Sequence, residues 1–531
     1  MASASITFHD VAWRWPDGDP LLQGLDLQVP AGTTGLVGAN GAGKTTLLRL
    51  VAGDLSPVTG SVQVVGTVGW LRQDLTLHAE TPVDERLGIA SVRAAIRAVE
   101  SGDPDPRHFD TIGDAWDIDE RATAELARVG LPHDVLDRRI GELSGGEATQ
   151  LSLAALLLAR PDILLLDEPT NNLDRVARHR VHDLVAGFRG TLVVVSHDRE
   201  LLELVDRIAE LRSGPSGTRG VSWYGGGWSA YREQAEAEQA LAEQAVVAAK
   251  ADVRRQHQQL MDAQTAIARR ANQGRKVQES GSLPKILAGA RKRSAEESAG
   301  RLRGVHEQRL DDARGRLEEA RDGVAADREI SIDLPETAVH RGQHVLTLEA
   351  VETRVAGPFD LAVVGPERVA VTGANGSGKT TLLRTIVGEL EPVAGSVRVT
   401  VPVRFLPQRL DLLDPGLSVL ENARLQAPGT ELQEIRSRLA RFLFRGRAAD
   451  RRVGVLSGGE LLRATLACVL LAAPPPRLLV LDEPTNNLDL ASLRQLVEAL
   501  TAYRGALIVV SHDETFLAEL GITRRIDLGK R

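Results

Sequence analysis

The sequence has little cysteine and lacks long hydrophobic runs, and both shortages exclude classes of protein. Cys468 is the single cysteine among 531 residues, so an internal disulfide framework and a cysteine-ligated zinc site are both excluded. It lies in the apolar run 466–471, where we expect a small buried core residue and a reducing cytosol. No stretch approaches the ~18 uninterrupted apolar residues of a transmembrane helix. The first 16 residues have no apolar core of a secretory signal, so we expect a cytoplasmic protein without direct membrane insertion.

The charge of the chain is unevenly distributed. Asp and Glu number 72 against 64 Lys and Arg, which gives a net charge of −8. Residues 254–303 nevertheless contain twelve basic and four acidic residues, so this segment carries +8 and the remainder of the chain carries −16. A basic segment in an acidic protein indicates contact with a polyanion. A solvated charged helix is the alternative, and charge alone does not separate the two.

Residues 232–329 have the pattern of two long helices. Apolar residues recur every seven positions in the first half and at three-four spacing in the second, which predicts two antiparallel helices packed along one apolar edge. The first helix is predicted to end near Arg270, and at ~1.5 Å per residue its roughly 40 residues would extend about 60 Å. Glycine and proline between the halves predict a turn region. The edge residues are Val246, Val253, Leu260, Ile267, Leu310, Ala313, Leu317, Ala320 and Val324, and the turn residues are Gly274, Gly281, Pro284 and Gly289.

Before this segment, residues 35–46 have the pattern of a phosphate-binding loop. A strand (35–37) leads into Gly-Ala-Asn-Gly-Ala-Gly-Lys-Thr-Thr and then an apolar helix, which is the strand, glycine loop and helix that such loops require. The glycines allow backbone N–H groups to face the phosphates at the positive end of a helix. Lys44 is predicted to reach the β- and γ-phosphates and Thr45 to bind Mg²⁺. The predicted nucleotide contacts are Gly38, Asn40, Gly41, Gly43, Lys44, Thr45 and Thr46.

Two further apolar strands end in polar residues. Residues 164–168 end in Asp167 and Glu168, where open α/β sheets place ligand-binding groups. Asp167 is predicted to hold Mg²⁺, and Glu168 to act as general base toward the attacking water. A helix N-cap is the competing explanation for such an acidic pair. The next strand, 192–195, is followed by His197, which is a candidate for orienting the γ-phosphate.

The residues Ser144-Gly145-Gly146-Glu147, which open the helix before Asp167, carry a family resemblance. At this point the chain resembles the ATP-binding cassette (ABC) ATPases, in which the signature of one cassette caps the γ-phosphate of ATP on the opposite cassette. The resemblance implies that Ser144, Gly145 and Gly146 contact nucleotide. It also implies that Gln73 is the Q-loop residue, with a catalytic and Mg²⁺-binding role, and that Asp174 belongs to the D-loop. Trp15 matches the aromatic that stacks on adenine, with a buried core tryptophan as the alternative.

The second half repeats the set. The matching nucleotide contacts are Gly373, Asn375, Gly376, Gly378, Lys379, Thr380, Thr381, Ser457, Gly458 and Gly459. The matching catalytic or Mg²⁺-binding residues are Gln408, Asp482, Glu483 and His512, with Thr380 also assigned to Mg²⁺ and Asp489 to the D-loop. The interval from P-loop to Q-loop is equal in both halves, but the first has 22 more residues between Q-loop and signature. This excess, within 91–127, is either a contact arm or a longer helical subdomain, and we favour the subdomain.

Two composite sites follow from the resemblance. One combines Lys44 and Glu168 with Ser457, and the other combines Lys379 and Glu483 with Ser144. Both retain a glutamate, so both are predicted to hydrolyse ATP with Mg²⁺. The second half has no aromatic residue that matches Trp15, which predicts weaker base stacking there by about 1 kcal/mol.

Two cassettes joined by a charged helical hairpin resemble the ABC-F subfamily over the full chain, including the Glu-Pro-Thr-Asn-x-Leu-Asp run in both halves, where Asn172 and Asn487 replace the usual His. The predicted fold is α/β, with two tandem ABC-type P-loop ATPase domains, each a mixed sheet core plus a helical subdomain, joined by an antiparallel α-helical hairpin linker. The predicted domains are 1–228, 229–340 and 341–531.

The ABC-F resemblance implies a ribosomal function. The basic linker tip is expected to contact 23S rRNA, and also tRNA, near the peptidyl-transferase region, in a monomer whose two cassettes pair with each other. The role would be protection against large-subunit antibiotics or that of a translation factor. The alternative is the ATPase subunit of a drug exporter, of macrolide type, acting with a separate membrane protein.

Overall fold

A computed structural model describes residues 4–15, 18, 20–72, 79–171, 173–213, 219–279, 285–322, 334–409, 411–486 and 488–528. In the hairpin, the side chains at 270, 271, 274–279, 285–297, 299 and 322 are outside this description. The chain divides into two compact units, Met1–Ser229 with Arg328–Arg531, and Ala230–Asp327. The first unit contains both cassettes: cassette 1 is its part before the hairpin, and cassette 2 is its part after the hairpin. The second unit contains the hairpin. No helix among the described residues is long and apolar enough to cross a membrane.

Cassette 1 contains two sheets. The smaller is antiparallel, with strand order β2-β1-β4; its strands are β1 (Ser5–Arg14), β2 (Pro20–Val29) and β4 (Thr59–Val65). The larger has strand order β5-β6-β7-β3-β8-β9, parallel except for the antiparallel pair β8–β9. Its strands are β3 (Gly32–Gly38), β5 (Val68–Leu71), β6 (Ile163–Asp167), β7 (Thr191–Val195), β8 (Arg207–Ser213) and β9 (Arg219–Gly225).

Helices in cassette 1 either pack on the larger sheet or form a subdomain. They are α1 (Lys44–Val51), α2 (Val83–Arg86), α3 (Ala90–Glu100), α4 (Pro106–Ile112), α5 (Ile118–Val129), α6 (Gly145–Ala159), α7 (Arg175–Gly187) and α8 (Arg199–Glu203). Every residue of β6 and β7 is buried. Their uniformly apolar sequences fit central parallel strands that are covered on both faces.

Cassette 2 repeats this architecture in its described residues. Its strands are β10 (His344–Glu352), β11 (Phe359–Val364), β12 (Arg368–Thr372), β13 (Ala394–Val399), β14 (Val403–Leu406), β15 (Leu478–Asp482), β16 (Ala506–Val510) and β17 (Arg524–Asp527). Its helices are α11 (Lys379–Ile386), α12 (Val419–Gln426), α13 (Leu432–Arg441), α14 (Gly458–Leu470), α15 (Leu490–Ala502) and α16 (Glu514–Glu519). The sheets have strand orders β11-β10-β13 and β14-β15-β16-β12-β17. Cys468 is buried in α14, in the core of this cassette.

The extra residues of cassette 1 belong to its helical subdomain. Between α2 and α5 they form most of α3 and all of α4, and α3 packs on α4 and α5. Arg93 of α3 is buried and contacts three aspartates, Asp84 at 3.1 Å, Asp119 at 2.9 Å and Asp137 at 3.2 Å. A buried guanidinium needs such partners. These contacts tie α3 to its neighbours and support a longer subdomain over a separate arm.

The hairpin consists of α9 (Trp228–Glu279) and α10 (Lys285–Asp322). The described residues of its apolar edge are as predicted: Leu260, Leu310 and Ala313 are buried. The other described edge residues are half-buried: Val246, Val253, Ile267, Leu317 and Ala320. Arg316 of α10 donates to Asp252 of α9 at 2.9 Å, which fits an antiparallel pair. Val324 lies outside the described residues.

The predicted turn region was too long. Helix α9 continues nine residues past Arg270 and passes through Gly274, and α10 includes Gly289; Gly281 and Pro284 lie outside the described residues. A single glycine in a helix costs about 1 kcal/mol relative to alanine. The Arg, Lys, Gln, Glu and Ala residues around both glycines are strong helix formers, so isolated glycines do not end these helices.

Candidate functional site

Each cassette places a glycine loop between a buried strand and a helix. In cassette 1, Gly38, Gly41 and Gly43 have φ of 147°, 76° and 108°, values that favour glycine. A Cβ on Gly38 would lie 2.7 Å from the Leu211 carbonyl oxygen. The loop therefore needs glycine both for its conformation and for its close packing.

The P-loop lysines fold back over these loops. Lys44 Nζ donates to the carbonyl oxygens of Gly38 at 2.6 Å and Ala39 at 3.2 Å. Lys379 Nζ makes the same pair of contacts, with Gly373 at 2.8 Å and Ala374 at 3.0 Å. The second loop also repeats the positive φ values at Gly373, Gly376 and Gly378. Both loops thus present a backbone cradle with a cation inside it, an arrangement that binds phosphate.

The two glutamates follow the buried strands β6 and β15 in strained backbone conformations. Glu168 has φ of 51° and Glu483 has φ of 45°, which is uncommon for a non-glycine residue. The Glu168 N–H donates to the Val195 carbonyl at 2.9 Å, and the Glu483 N–H donates to Val510 at the same distance. The adjacent strand therefore fixes the backbone of each glutamate, and strain of this kind is concentrated at functional sites.

A histidine contacts each glutamate. His197 Nε2 lies 3.3 Å from Glu168 Oε1, and His512 Nε2 lies 3.3 Å from Glu483 Oε1. Burial raises the pKa of Glu168 to about 8 against the attraction of Lys44, and it raises the pKa of Glu483 to about 7. Burial, reinforced by the charge of Lys44, lowers the pKa of His197 to about 3. Burial and the charge of Lys379 lower the pKa of His512 to about 4. Each pair combines a neutral imidazole with a carboxyl that titrates near physiological pH, where a general base works well.

The described residues include a set of oxygen ligands suited to Mg²⁺. In cassette 2 the Thr380 hydroxyl bonds to the Asp482 carboxylate, and burial raises the pKa of Asp482. Asp167, its counterpart, ends β6 and is buried, and Thr45 lies in the first turn of α1. A carboxylate and a hydroxyl beside a phosphate cradle are the hard oxygen donors that Mg²⁺ prefers.

Cassette 2 reaches into the nucleotide loop of cassette 1. The Asn40 N–H donates to Asp489 Oδ2 at 2.8 Å, and the Asn40 side-chain nitrogen lies 3.6 Å from the position of a Cβ on Gly458. The other Asp489 oxygen caps α15 by accepting from the Ser492 N–H at 2.8 Å. We call this combination of the Lys44 loop with the facing segment of cassette 2 site 1.

Cassette 1 reaches into the corresponding region of cassette 2, which we call site 2. Arg178 Nη1 donates to the His512 carbonyl oxygen at 3.2 Å. Asp174 caps α7 by accepting from Ala177, and its charge opposes the burial-driven lowering of the Lys379 pKa. The D-loop aspartates therefore approach the opposite sites, as the paired-cassette expectation requires.

The signature serines begin helices α6 and α14 as capping boxes. Ser144 accepts from the Glu147 N–H at 3.3 Å while the Glu147 carboxylate accepts from the Ser144 N–H at 2.8 Å, and Ser457 and Glu460 repeat the arrangement. The capping box fixes the helix start. The positive end of each helix dipole is thus available to an anion, beside Gly145 and Gly146 in one cassette and Gly458 and Gly459 in the other.

Of the remaining predicted residues, some are exposed and others lie outside the described residues. Trp15 is 45% exposed, with its ring edge-on to the buried Trp13 at 5.1 Å, so its side chain is available and is not a core residue. Gln408 is exposed just after β14. Gln73, Asn172 and Asn487 lie outside the described residues. Sequence reasoning missed Arg178, because its contact crosses between cassettes and belongs to no motif.

The family assignment follows from whole-chain similarity. The ABC transporter family profile matches residues 22–171 and 358–486. The chain is also 35% identical to the tylosin resistance ATP-binding protein TlrC of Streptomyces fradiae, with 96% of this chain and 95% of that protein covered. The chain belongs to the ABC-F subfamily of ABC proteins. This ABC-F protein is therefore an ATPase, and the resemblance inferred from its motifs is confirmed.

Two further comparisons agree with this assignment. The ABC-F protein is 32% identical to the energy-dependent translational throttle protein EttA of Mycobacterium tuberculosis, over 92% of this chain and 85% of that protein. Its fold is similar to that of the archaeal ribosome recycling factor aABCE1, crystallised with the ribosomal stalk protein aP1. That match has a TM-score of 0.53 and 19% identity and covers 98% of this chain and 87% of that one. At this identity the structural match shows the fold, and it confirms the predicted pair of ATPase cassettes.

Proposed function

We propose that this ABC-F ATPase acts on the ribosome, with its basic hairpin contacting ribosomal RNA near the peptidyl-transferase region. One observation carries the proposal: the similarity to a tylosin resistance protein and to a translational throttle protein covers 96% and 92% of this chain, which is more than the two cassettes alone. The function is protection against large-subunit antibiotics or regulation of translation. The twelve basic residues in 254–303 supply the charge for RNA phosphates.

The cassettes supply the switch in this proposal. Each ATP is held between the P-loop of one cassette and the signature of the other, so two bound nucleotides stabilise the closed pair. Glu168 and Glu483 accept the proton of the attacking water, and the neutral His197 and His512 orient the carboxyl and the γ-phosphate. Thr45 and Asp167 in one cassette, and Thr380 and Asp482 in the other, would hold Mg²⁺, which would supply positive charge against the phosphates. Loss of the γ-phosphate releases the contacts that close the cassettes, and this moves the covalently attached hairpin ends.

Ribosome sedimentation of a trapped variant tests this function. With ATP and Mg²⁺, the Glu168→Gln and Glu483→Gln double variant binds nucleotide without turnover, so it is expected to move from the light fractions to the ribosomal fractions of a sucrose gradient. The same variant without ATP is the control. A double variant that stays light, or that collects with membranes instead of ribosomes, contradicts the proposal, and the membrane result would favour an exporter subunit.

Charge reversal tests the hairpin separately. Changing Arg291, Lys292 and Arg293 to Glu in the trapped variant is expected to abolish co-sedimentation, and the same change in the wild-type chain is expected to leave basal ATPase activity unchanged. The matched control reverses three exposed hairpin cations outside the basic segment: Arg232, Lys250 and Arg321. Equal loss of binding in both triple variants would mean that the basic segment makes no specific contact.

A further inference from the structure

We propose that cassette 1 carries a binding site for a borderline divalent transition-metal ion such as Zn²⁺, formed by His179, His182 and Glu200. One ligand atom from each of these residues lies within 4.8 Å of the other two. His179 and His182 lie on successive turns of α7, with ring centroids 5.7 Å apart, and Glu200 lies in the first turn of α8. The cluster is separate from the predicted Mg²⁺ ligands and takes no part in the proposed mechanism.

The orientation of His182 supports a metal site. Its Nε2 lies 3.1 Å from Asp198 Oδ2, so an imidazole that donates this proton keeps its Nδ1 lone pair for a metal. Asp198 is itself fixed, because its Oδ1 accepts from the Glu200 N–H at 3.0 Å and from the Leu201 N–H at 3.2 Å. A carboxylate that holds one nitrogen of a histidine while the other binds metal is a recurrent second-sphere arrangement.

The donor set determines the class of ion. Two imidazoles and one carboxylate suit Zn²⁺ and its neighbours, whereas Mg²⁺ and Ca²⁺ prefer oxygen donors. Ligand atoms around a tetrahedral Zn²⁺ are about 3.3 Å apart, given metal–ligand distances near 2.0 Å. His182 is buried and held, while His179 is exposed and Glu200 is half-buried, so small rotations of the latter two bring the three atoms to that spacing. The fourth position is left for water.

The second cassette provides an internal comparison. The positions that match the three ligands, 315 residues later, are Arg494, Val497 and Thr515. Asp513 keeps the place of Asp198 and still caps its helix by accepting from the Phe516 N–H at 2.8 Å. The fold and the capping aspartate therefore do not require the histidines. Their presence in one cassette only is what a site specific to that cassette predicts.

Metal binding to the full-length, untagged protein tests the proposal. After removal of metals with a chelator and in the absence of nucleotide, Zn²⁺ is titrated in competition with a chromogenic chelator. The wild-type chain is expected to bind one equivalent tightly, and the His179→Ala, Glu200→Gln double variant is expected to bind it at least about tenfold more weakly. Both substitutions are at accessible positions, so the variant should keep the wild-type circular dichroism spectrum.

The matched control is His133→Ala, which removes another exposed histidine of cassette 1 and should leave the affinity unchanged. Co²⁺ provides a second readout, since a site with two imidazole ligands gives visible absorption bands that the double variant should lose. The proposal is overturned if the wild-type chain binds no stoichiometric Zn²⁺. It is also overturned if the double variant binds Zn²⁺ as tightly as the wild type and the control do.

Discussion

Sites 1 and 2 share their chemical groups but differ in the residues around them. Each has a cradled lysine, a strained glutamate and a neutral histidine at the same 3.3 Å distance. Site 2 also receives Arg178 from the opposite cassette, whereas the residue of cassette 2 that matches it in sequence, Leu493, is a buried core leucine. Conversely, site 1 has Trp15 where the second cassette has Val355.

This difference shows which parts of a duplicated site are constrained. The lysine, glutamate and histidine that we propose to act on the phosphates and the attacking water are the same in both copies, as expected if each is needed in a fixed position for the same reaction. The neighbours that tune charge and base contact have diverged. We therefore expect two sites that both hydrolyse ATP but respond differently to pH and to changes at their edges.

Removing the glutamates produces the largest expected effect. Glu168→Gln with Glu483→Gln should reduce ATP turnover by about 10²- to 10⁴-fold, the usual contribution of a general base. Each single variant isolates one site. With pKa values of about 8 for Glu168 and about 7 for Glu483, a larger fraction of Glu483 is ionised at pH 7. Glu168→Gln should then retain more activity at pH 7 than Glu483→Gln.

The pH profile of the single variants determines whether the sites differ in this way. Activity requires the ionised carboxylate, and both pKa values are raised, so kcat/KM should increase as pH rises through the pKa of the remaining base. The increase should come at higher pH in Glu483→Gln, which retains Glu168, and the two variants should converge above pH 9. If the ratio of the two variants' activities stays constant from pH 6 to pH 9, the two glutamates do not differ in pKa.

The tryptophan gives the next largest effect. Trp15→Ala removes an exposed ring together with its edge-on contact with the buried Trp13, and should weaken ATP binding at site 1 by about 1 kcal/mol, or about fivefold. Binding of a fluorescent ATP analogue to the Glu168→Gln, Glu483→Gln background measures this change. Val355→Trp is the matched gain at site 2 and should tighten binding there. Unchanged affinity in both variants would mean that neither position contacts the base.

Patterns of neighbouring residues predicted most of the fold and the site, but they could not predict contacts between segments that are distant in the sequence. The P-loop could be predicted because its glycines, lysine and flanking strand and helix are consecutive, and the paired cassettes because the signature is duplicated. Arg178 was missed because its partner, the His512 carbonyl, is 334 residues away. The cluster of His179, His182 and Glu200 was missed because it depends on how α7 and α8 pack. The predicted turn at Gly274 and Gly289 was wrong, because the helix propensity of the residues around each glycine outweighed the cost of the glycine.

Replacing Arg178 has the smallest expected effect, and it tests most directly whether sites 1 and 2 differ in their surroundings. Its charge lowers the pKa of Glu483, second among the opposing influences after Lys379, and its side chain is largely buried, so solvent screens it little. Arg178→Leu copies Leu493 and should raise the Glu483 pKa. In the Glu168→Gln background, activity should fall about threefold at pH 7, equivalent to ~0.7 kcal/mol, and recover at pH 9.

The control replaces another arginine that contacts the opposite cassette, one whose charge is not among those that act on the Glu483 carboxyl. Arg175 meets this need, because it is exposed and pairs with Glu514 of cassette 2 at 3.3 Å, and exposed pairs of this kind contribute little. Arg175→Leu should leave the pH profile unchanged. If Arg178→Leu lowers activity equally at every pH, its role is to hold the cassettes together. If it shifts the profile as much in the Glu483→Gln background, its charge does not act preferentially on site 2, and the two sites are electrostatically equivalent.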